Sequence, residues 1–277
     1  MSQQLTNDTS TIIIRSEESH EEEDYSGLFE SDMFQVDENY FRKPRPARIE
    51  VFNIENSDFQ VKVRLLGDHI LWGNYLWNAS KCLSQHFYEN QHLIKDKTVV
   101  ELGAAGGLPS LTCGKLGAKK VVITDIGHED LIDNLKKNVE LNFGENCQHV
   151  EVRPHAWGER LEETFGIGEN KETFDVIILS DLLFNHICHH QLLDSCEYLS
   201  HPNTMIYVSY THHRPWLIKE DLKLFVLAKE RHFLVEHYFD KKYPPMFEND
   251  PGDVEERSTV HVQIMKPPQA RQGNHEN

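Results

Sequence analysis

The chain has 277 residues, 39% hydrophobic and 10% aromatic, enough to bury one domain of about 200–250 residues beside a tail. A net charge of -17 argues against a direct nucleic-acid binder, because phosphate contacts need a surplus of Lys and Arg. No apolar run approaches the ~20 residues of a membrane span, and five cysteines (Cys82, Cys113, Cys147, Cys188, Cys196) lack disulfide-framework spacing.

With no signal-peptide pattern at the N-terminus, a reduced, cytoplasmic setting and a monomer are expected. Residues 1–40 hold eleven Asp and Glu against Arg15 alone, so more than half of the net charge sits on this arm. It is expected to be mostly disordered, with Leu28, Phe29, Met33 and Phe34 as a short stretch able to dock. An extended lead-in at 43–46 opens a domain expected over 41–267, and 268–277 is expected to be a disordered tail.

From there strand and helix patterns alternate. Strands are predicted at 59–66, 98–102, 120–124, 149–153, 174–179, 204–209, 233–239 and 259–265. Helices are predicted at 74–88, 108–116, 129–142, 187–199 and 216–231. This alternation implies βαβ units. The run Val176-Ile177-Ile178-Leu179 is apolar on both faces, as a central parallel strand requires. The last two strands, joined through a Pro- and acid-rich stretch at 241–258, are expected to form an antiparallel edge hairpin. The fold class is therefore α/β, a doubly wound, mostly parallel seven-stranded sheet.

The strongest local signal is Val99-Val100-Glu101-Leu102-Gly103-Ala104-Ala105-Gly106-Gly107-Leu108-Pro109, a strand, a glycine turn and a helix start. A dinucleotide fingerprint places Gly at relative positions one, three and six, but here they hold Gly103, Ala105 and Leu108. A P-loop fails as well, because Gly114-Lys115 is followed by Leu116. What remains is a loop for a different nucleotide-like cofactor, or a plain tight turn. Asp125 ends the next strand 22 positions after Gly103, near the ~20-residue spacing of ribose-binding acids. It would equally serve as a helix N-cap.

Asp181 follows the buried strand at the end where open α/β sheets place ligands, and it too could be a helix cap. Tyr210 and His212 lie at the end of the next strand, near the same opening or merely structural. No metal site is expected: His186, Cys188, His189, His190 and Cys196 are close in sequence but form no CxxC or HExxH frame.

The acid-Leu-Gly-x-x-Gly-Gly pattern resembles the first motif of class I S-adenosylmethionine-dependent methyltransferases. Trp77-Asn78-Ala79, the spaced Asn134, Asn138 and Asn142, His155-Ala156-Trp157-Gly158 and Ser180-Asp181-Leu182-Leu183-Phe184 are similar to elements of its seven-strand protein lysine methyltransferase branch. A narrower resemblance, on Gly27-Leu28-Phe29 and the stretch from Val208 to Pro215, is to the fungal methyltransferases of translation elongation factor 1-alpha. They were formerly labelled nicotinamide N-methyltransferase-like. This resemblance implies S-adenosyl-L-methionine held by Trp77, Gly103, Ala104, Ala105, Asp125, Trp157 and Ser180. Trp77 and Trp157 would also suit the core as plain aromatics.

Two positions depart from the pattern, Ala105 where many relatives carry Gly, and Phe184 where Tyr is commoner. The implied activity is methylation of the N-terminal glycine and adjacent lysine of elongation factor 1-alpha, with Asp181 expected to accept a hydrogen bond from the incoming amine and Phe184 to pack against the methylated cation. The alternatives are a small-molecule, nicotinamide-like N-methyltransferase, or a non-catalytic partner-binding module on the same fold.

Overall fold

The computed structural model describes residues 45–268 apart from 69, 70 and 72. The expectations for the acidic arm and for the tail beyond 268 fall outside these residues.

Seven strands form one sheet in the order β5-β4-β3-β6-β7-β9-β8. They are β3 (Thr98–Leu102), β4 (Lys120–Asp125), β5 (Val150–Pro154), β6 (Phe174–Ser180), β7 (Ser200–Thr211), β8 (Leu234–Lys242) and β9 (Thr259–Lys266). The first five pair in parallel, and β9 runs antiparallel between β7 and β8. The doubly wound sheet with its antiparallel edge hairpin is as the sequence implied. Successive side chains of a strand point to opposite faces, and a sheet apolar on both faces needs cover on both.

The structure shows that cover as two cores. Val99, Val121, Val176 and Ile178 pack with Leu83 and Phe87 of α1 (Asn78–Glu89), Leu108 and Leu111 of α2 (Leu108–Lys115) and Leu135 of α3 (Glu129–Phe143). Val100, Val122, Ile177 and Leu179 pack on the other side. Their partners are Phe165 of α4 (Leu161–Phe165), Leu192 and Cys196 of α5 (His189–Leu199), and Leu224 and Phe225 of α6 (Ile218–Glu230). The five cysteines are free thiols. Among the described residues no helix is long and apolar enough to cross a membrane.

Two local expectations need correction. The first predicted strand is β2 (Gln60–Leu65), which stays out of the seven-stranded sheet and pairs only with β1 (Arg48–Asn53), an unpredicted antiparallel partner. The predicted helix at 74–88 begins only at Asn78, because 75–77 has no regular structure and Trp77, just before the helix, is extended.

The three asparagines of α3 explain where β2 sits. Asn142 accepts from the Lys62 N–H (3.1 Å) and donates to its carbonyl (2.7 Å), and Asn138 does the same for Arg64 (2.6 and 3.0 Å). Asn134 adds a further donation to the Arg64 carbonyl (2.9 Å). Spaced four apart, they present one helical face, and their amides pair with the free edge of β2 as a neighbouring strand would. Asn138 also donates to the Gly106 carbonyl (3.0 Å), so the same side chain fixes the glycine turn. Asn138→Ala leaves the Arg64 N–H and the Gly106 carbonyl without these partners and should destabilise the fold by about 2–3 kcal/mol. A urea midpoint matching the unsubstituted protein would show that the amide ladder contributes little.

Candidate active site

The sheet order reverses between β3 and β6, and a crevice outside the carboxyl ends of such strands is where open α/β sheets bind ligands. A cavity of about 410 Å³ lies there, within the ~300–1,000 Å³ range of small-molecule sites. The structure brings all nine predicted site residues to its lining: Trp77, Gly103, Ala104, Ala105, Asp125, Trp157, Ser180, Asp181 and Phe184.

The turn after β3 is held in a left-handed conformation. Gly103 has φ +65°, and a Cβ there would meet Leu182 at 2.8 Å and Trp157 at 2.9 Å, so the chain passes close beneath both side chains. Ala105, which departs from the glycine pattern, also has a positive φ of +49°, a conformation that costs an L-residue roughly 1–2 kcal/mol. Its N–H donates to Asp125 Oδ2 at 2.7 Å, which holds the turn in place. Asp125 Oδ1 accepts from the Ile126 N–H at 2.7 Å. The helix after β4 starts behind His128 with no side-chain cap, so Asp125 is not its N-cap. Burial pushes the Asp125 carboxyl above the usual range, and the two amide hydrogen bonds offset part of that shift.

Glu101, unassigned in the sequence reading, also lines the cavity. It is buried, its Oε2 accepts from the Ser110 N–H at 3.0 Å, and burial raises its pKa to about 8, with the Asp125 charge adding to the shift. The signal was present as the acid of the acid-Leu-Gly pattern. Because the folded pKa lies above the ordinary value of 4.5, the fold favours the neutral acid. This contribution to stability is complete below that value and is lost at about 1.4 kcal/mol per pH unit as pH rises towards about 8. Glu101→Gln should flatten the slope of urea midpoint against pH across this window, and an unchanged slope would place the titration elsewhere.

The opposite wall is built by the turn after β6. Asp181 has φ +60° and donates its N–H to the Ser209 carbonyl at 2.7 Å. Its Oδ1 accepts from the Thr211 N–H (3.3 Å) and its Oδ2 from His213 Nε2 (2.9 Å). These contacts tie it to β7, and no helix begins there for it to cap. Burial pulls the His213 imidazolium down, but the charge and hydrogen bond of Asp181 outweigh it, with Asp221 and Asp250 adding, and the net shift is upward. The His213 ring stands edge-on to Trp77 at 5.1 Å, and Trp77 and Tyr75 in turn meet Phe247 from the β8–β9 connection. Phe184 is 39% exposed at the cavity mouth.

Of the adjacent pair, His213 and not His212 meets Asp181, while His155 is the histidine that lines the cavity itself. His212 turns away to Asp221 (2.7 Å), and the Tyr210 hydroxyl accepts from Gln263 (3.0 Å). The side chains at 186–196 do not converge either. His186 pairs with Asp221 (2.6 Å), His189 donates to the Leu183 carbonyl (2.9 Å), and His190 faces Arg231 (3.2 Å). On the remaining side, Ser195 Oγ lies 3.1 Å from His155 Nε2 and accepts from the Gly158 N–H at 2.8 Å, which anchors the segment carrying Trp157.

The arrangement offers two carboxylates, two indoles and a close-approaching backbone, a donor set suited to a cationic, ribose-bearing ligand. A profile of lysine methyltransferases matches residues 64–231. The chain belongs to this lysine methyltransferase family. The methyltransferase is 40% identical over 230 residues to the Schizosaccharomyces pombe protein N-terminal and lysine N-methyltransferase efm7, covering 80% of this chain and 89% of that one. It is 37% identical over 251 residues to the Neurospora crassa protein of the same description, covering 86% and 89%. Its fold is similar to that of the T. thermophilus 16S rRNA N2 G1207 methyltransferase in complex with AdoMet and guanosine. There the TM-score is 0.52 at 16% identity, over 81% of this chain and 51% of that one.

Proposed function

We propose that the methyltransferase binds S-adenosyl-L-methionine in this cavity and methylates the N-terminal glycine and adjacent lysine of translation elongation factor 1-alpha in the cytoplasm. The observation that carries the cofactor reading is the Asp125 carboxylate joined to the turn at 103–107 through the Ala105 N–H, in one cavity with Asp181 and Phe184. The relatives' descriptions as N-terminal and lysine methyltransferases support a protein amine as acceptor. The choice of elongation factor 1-alpha rests on the narrower sequence resemblance. We assign the activity to the domain at 41–267, with the acidic arm outside it.

When bound, the cofactor supplies an electrophilic methyl group on a sulfonium. Asp125 retains lone pairs on both oxygens and would accept from two ribose hydroxyls, and Gly103, Ala104 and Ala105 would present backbone to the amino-acid portion. Trp77, Trp157 and Ser180 would enclose it, and the Asp125 carboxylate, with that of Asp181 on the opposite wall, would make the pocket favourable to positive charge. Asp181, fixed by His213 and Thr211, accepts from the incoming amine and aligns its lone pair, while Phe184 shields the methylated product from water. Most of the rate then comes from positioning, worth up to ~7–11 kcal/mol. An α-amino group titrates about 2.5 pH units below a lysine, a difference of ~3.4 kcal/mol, so the terminal amine is the easier nucleophile.

Extract from a strain lacking the protein, incubated with the purified enzyme and labelled S-adenosylmethionine, should show label in elongation factor 1-alpha at its N-terminal peptide. Label confined to small molecules would instead support the nicotinamide-like alternative. Absence of cofactor binding would leave only a non-catalytic module.

A further inference from the structure

Behind the His213 wall, three side chains from two distant parts of the sequence converge. These are His212 just after β7, His261 on β9, and Glu256 on the short α7 (Val254–Arg257). One potential ligand atom from each lies within 4.8 Å of the other two. His212 is buried, while Glu256 and His261 are half-buried. Each imidazole is already oriented through Nδ1 by an aspartate: His212 by Asp221 at 2.7 Å and His261 by Asp240 at 2.9 Å. The Nε2 of His261 is buried with no hydrogen-bond partner. The two imidazoles lie 5.4 Å apart between ring centroids, each also against the Tyr210 ring at 5.3 Å.

A carboxylate on one ring nitrogen with the other left open is the usual setting of a metal-ligating histidine, since it fixes the tautomer and raises ligand basicity. Two such pairs beside a third carboxylate make a His-His-Glu donor set suited to a divalent transition ion. We propose that His212 and His261, through Nε2, and Glu256, through its carboxylate, bind one such ion, of which Zn²⁺ is the natural probe. Bonds of about 2.0–2.2 Å place tetrahedral ligand atoms roughly 3.4 Å apart, so the ion draws the cluster in by at most about 1.4 Å. Glu256, half-buried on a four-residue helix, supplies that movement.

The site reaches the cavity through the connection between β8 and β9. That connection carries Glu256, and it also carries Phe247, which packs on Tyr75 and Trp77, and Pro244, whose carbonyl accepts from Asn78 at 2.8 Å. An ion at Glu256 ties this segment to the ends of β7 and β9, and so stiffens the aromatic wall of the mouth. The site is structural and takes no part in methyl transfer.

The test uses full-length protein freed of metal by chelator dialysis and titrated with Zn²⁺ against a chromogenic chelator. The expected result is one ion per chain, with Glu256→Ala and His261→Ala each weakening binding at least 100-fold and Asp240→Asn weakening it 10–100-fold. Zn²⁺ should raise the Tm of the wild-type protein and leave that of Glu256→Ala unchanged, and Co²⁺ should give a nitrogen–oxygen spectrum without a thiolate band. Glu256 lies in a short surface helix, so its removal keeps the fold. No binding at micromolar Zn²⁺, or undiminished stoichiometric binding in both the Glu256→Ala and His261→Ala variants, would overturn the proposal.

Discussion

Asp125→Ala should weaken binding of S-adenosylmethionine by 100-fold or more, measured by calorimetry. Two hydrogen bonds from ribose hydroxyls to a buried carboxylate, each worth about 1.5–3 kcal/mol, set that scale. The substitution also removes the acceptor of the Ala105 N–H, so the left-handed turn at Ala105 loses what holds it. Asp125→Asn separates the two effects. Its amide oxygen still accepts from the turn, while the negative charge that suits a cationic cofactor is gone. A loss of affinity in Asn as large as in Ala would make charge the main term, and a smaller one would make the turn the main term. Affinity within threefold of wild type in Asp125→Ala would remove Asp125 from the cofactor site.

The second large effect falls on turnover. Asp181→Asn should lower kcat/KM for the protein substrate by 100- to 1,000-fold at saturating cofactor, as loss of a charged group that orients the nucleophile commonly does. Asn is the informative replacement because position 181 has φ +60°, which Asn tolerates better than Ala. Asp181→Ala adds a backbone cost of roughly 1–2 kcal/mol and confounds folding with chemistry. Cofactor affinity should stay near wild type in Asp181→Asn. Unchanged kcat/KM in that variant would reduce Asp181 to a link between the β6 turn and β7, held there by Ser209, Thr211 and His213.

The doubly wound sheet was readable because its signals are local. Val176-Ile177-Ile178-Leu179 is apolar on both faces wherever it sits, and the strand, glycine turn and acid at 98–125 carry their spacing within one βαβ unit. The edge hairpin followed from two strands without a helix between them. The β1–β2 ribbon was hidden because β2 is completed by asparagine side chains of α3, about 70–80 residues away, and not by a third strand. Asn134, Asn138 and Asn142 were visible as a pattern, but a polar helical face gives no sign of what it pairs with.

At the site, lining residues that follow strand ends were legible, since the fold sends every such end to one crevice. The choice between His212 and His213 was not. Adjacent residues at a strand end diverge, and which one faces Asp181 depends on the register of β7 against β6. The cluster at 212, 256 and 261 escaped for the same reason, and the histidines close together at 186–190 drew attention to themselves by sequence proximity alone.

Crystals soaked with S-adenosylhomocysteine test the central claim most directly. The expected density lies between the turn at 103–107 and Asp125, with the ribose hydroxyls within hydrogen-bonding distance of the Asp125 carboxylate and the sulfur facing Asp181. A ligand bound elsewhere, or a cavity closed by Trp77 and Trp157 at saturating concentration, would contradict it.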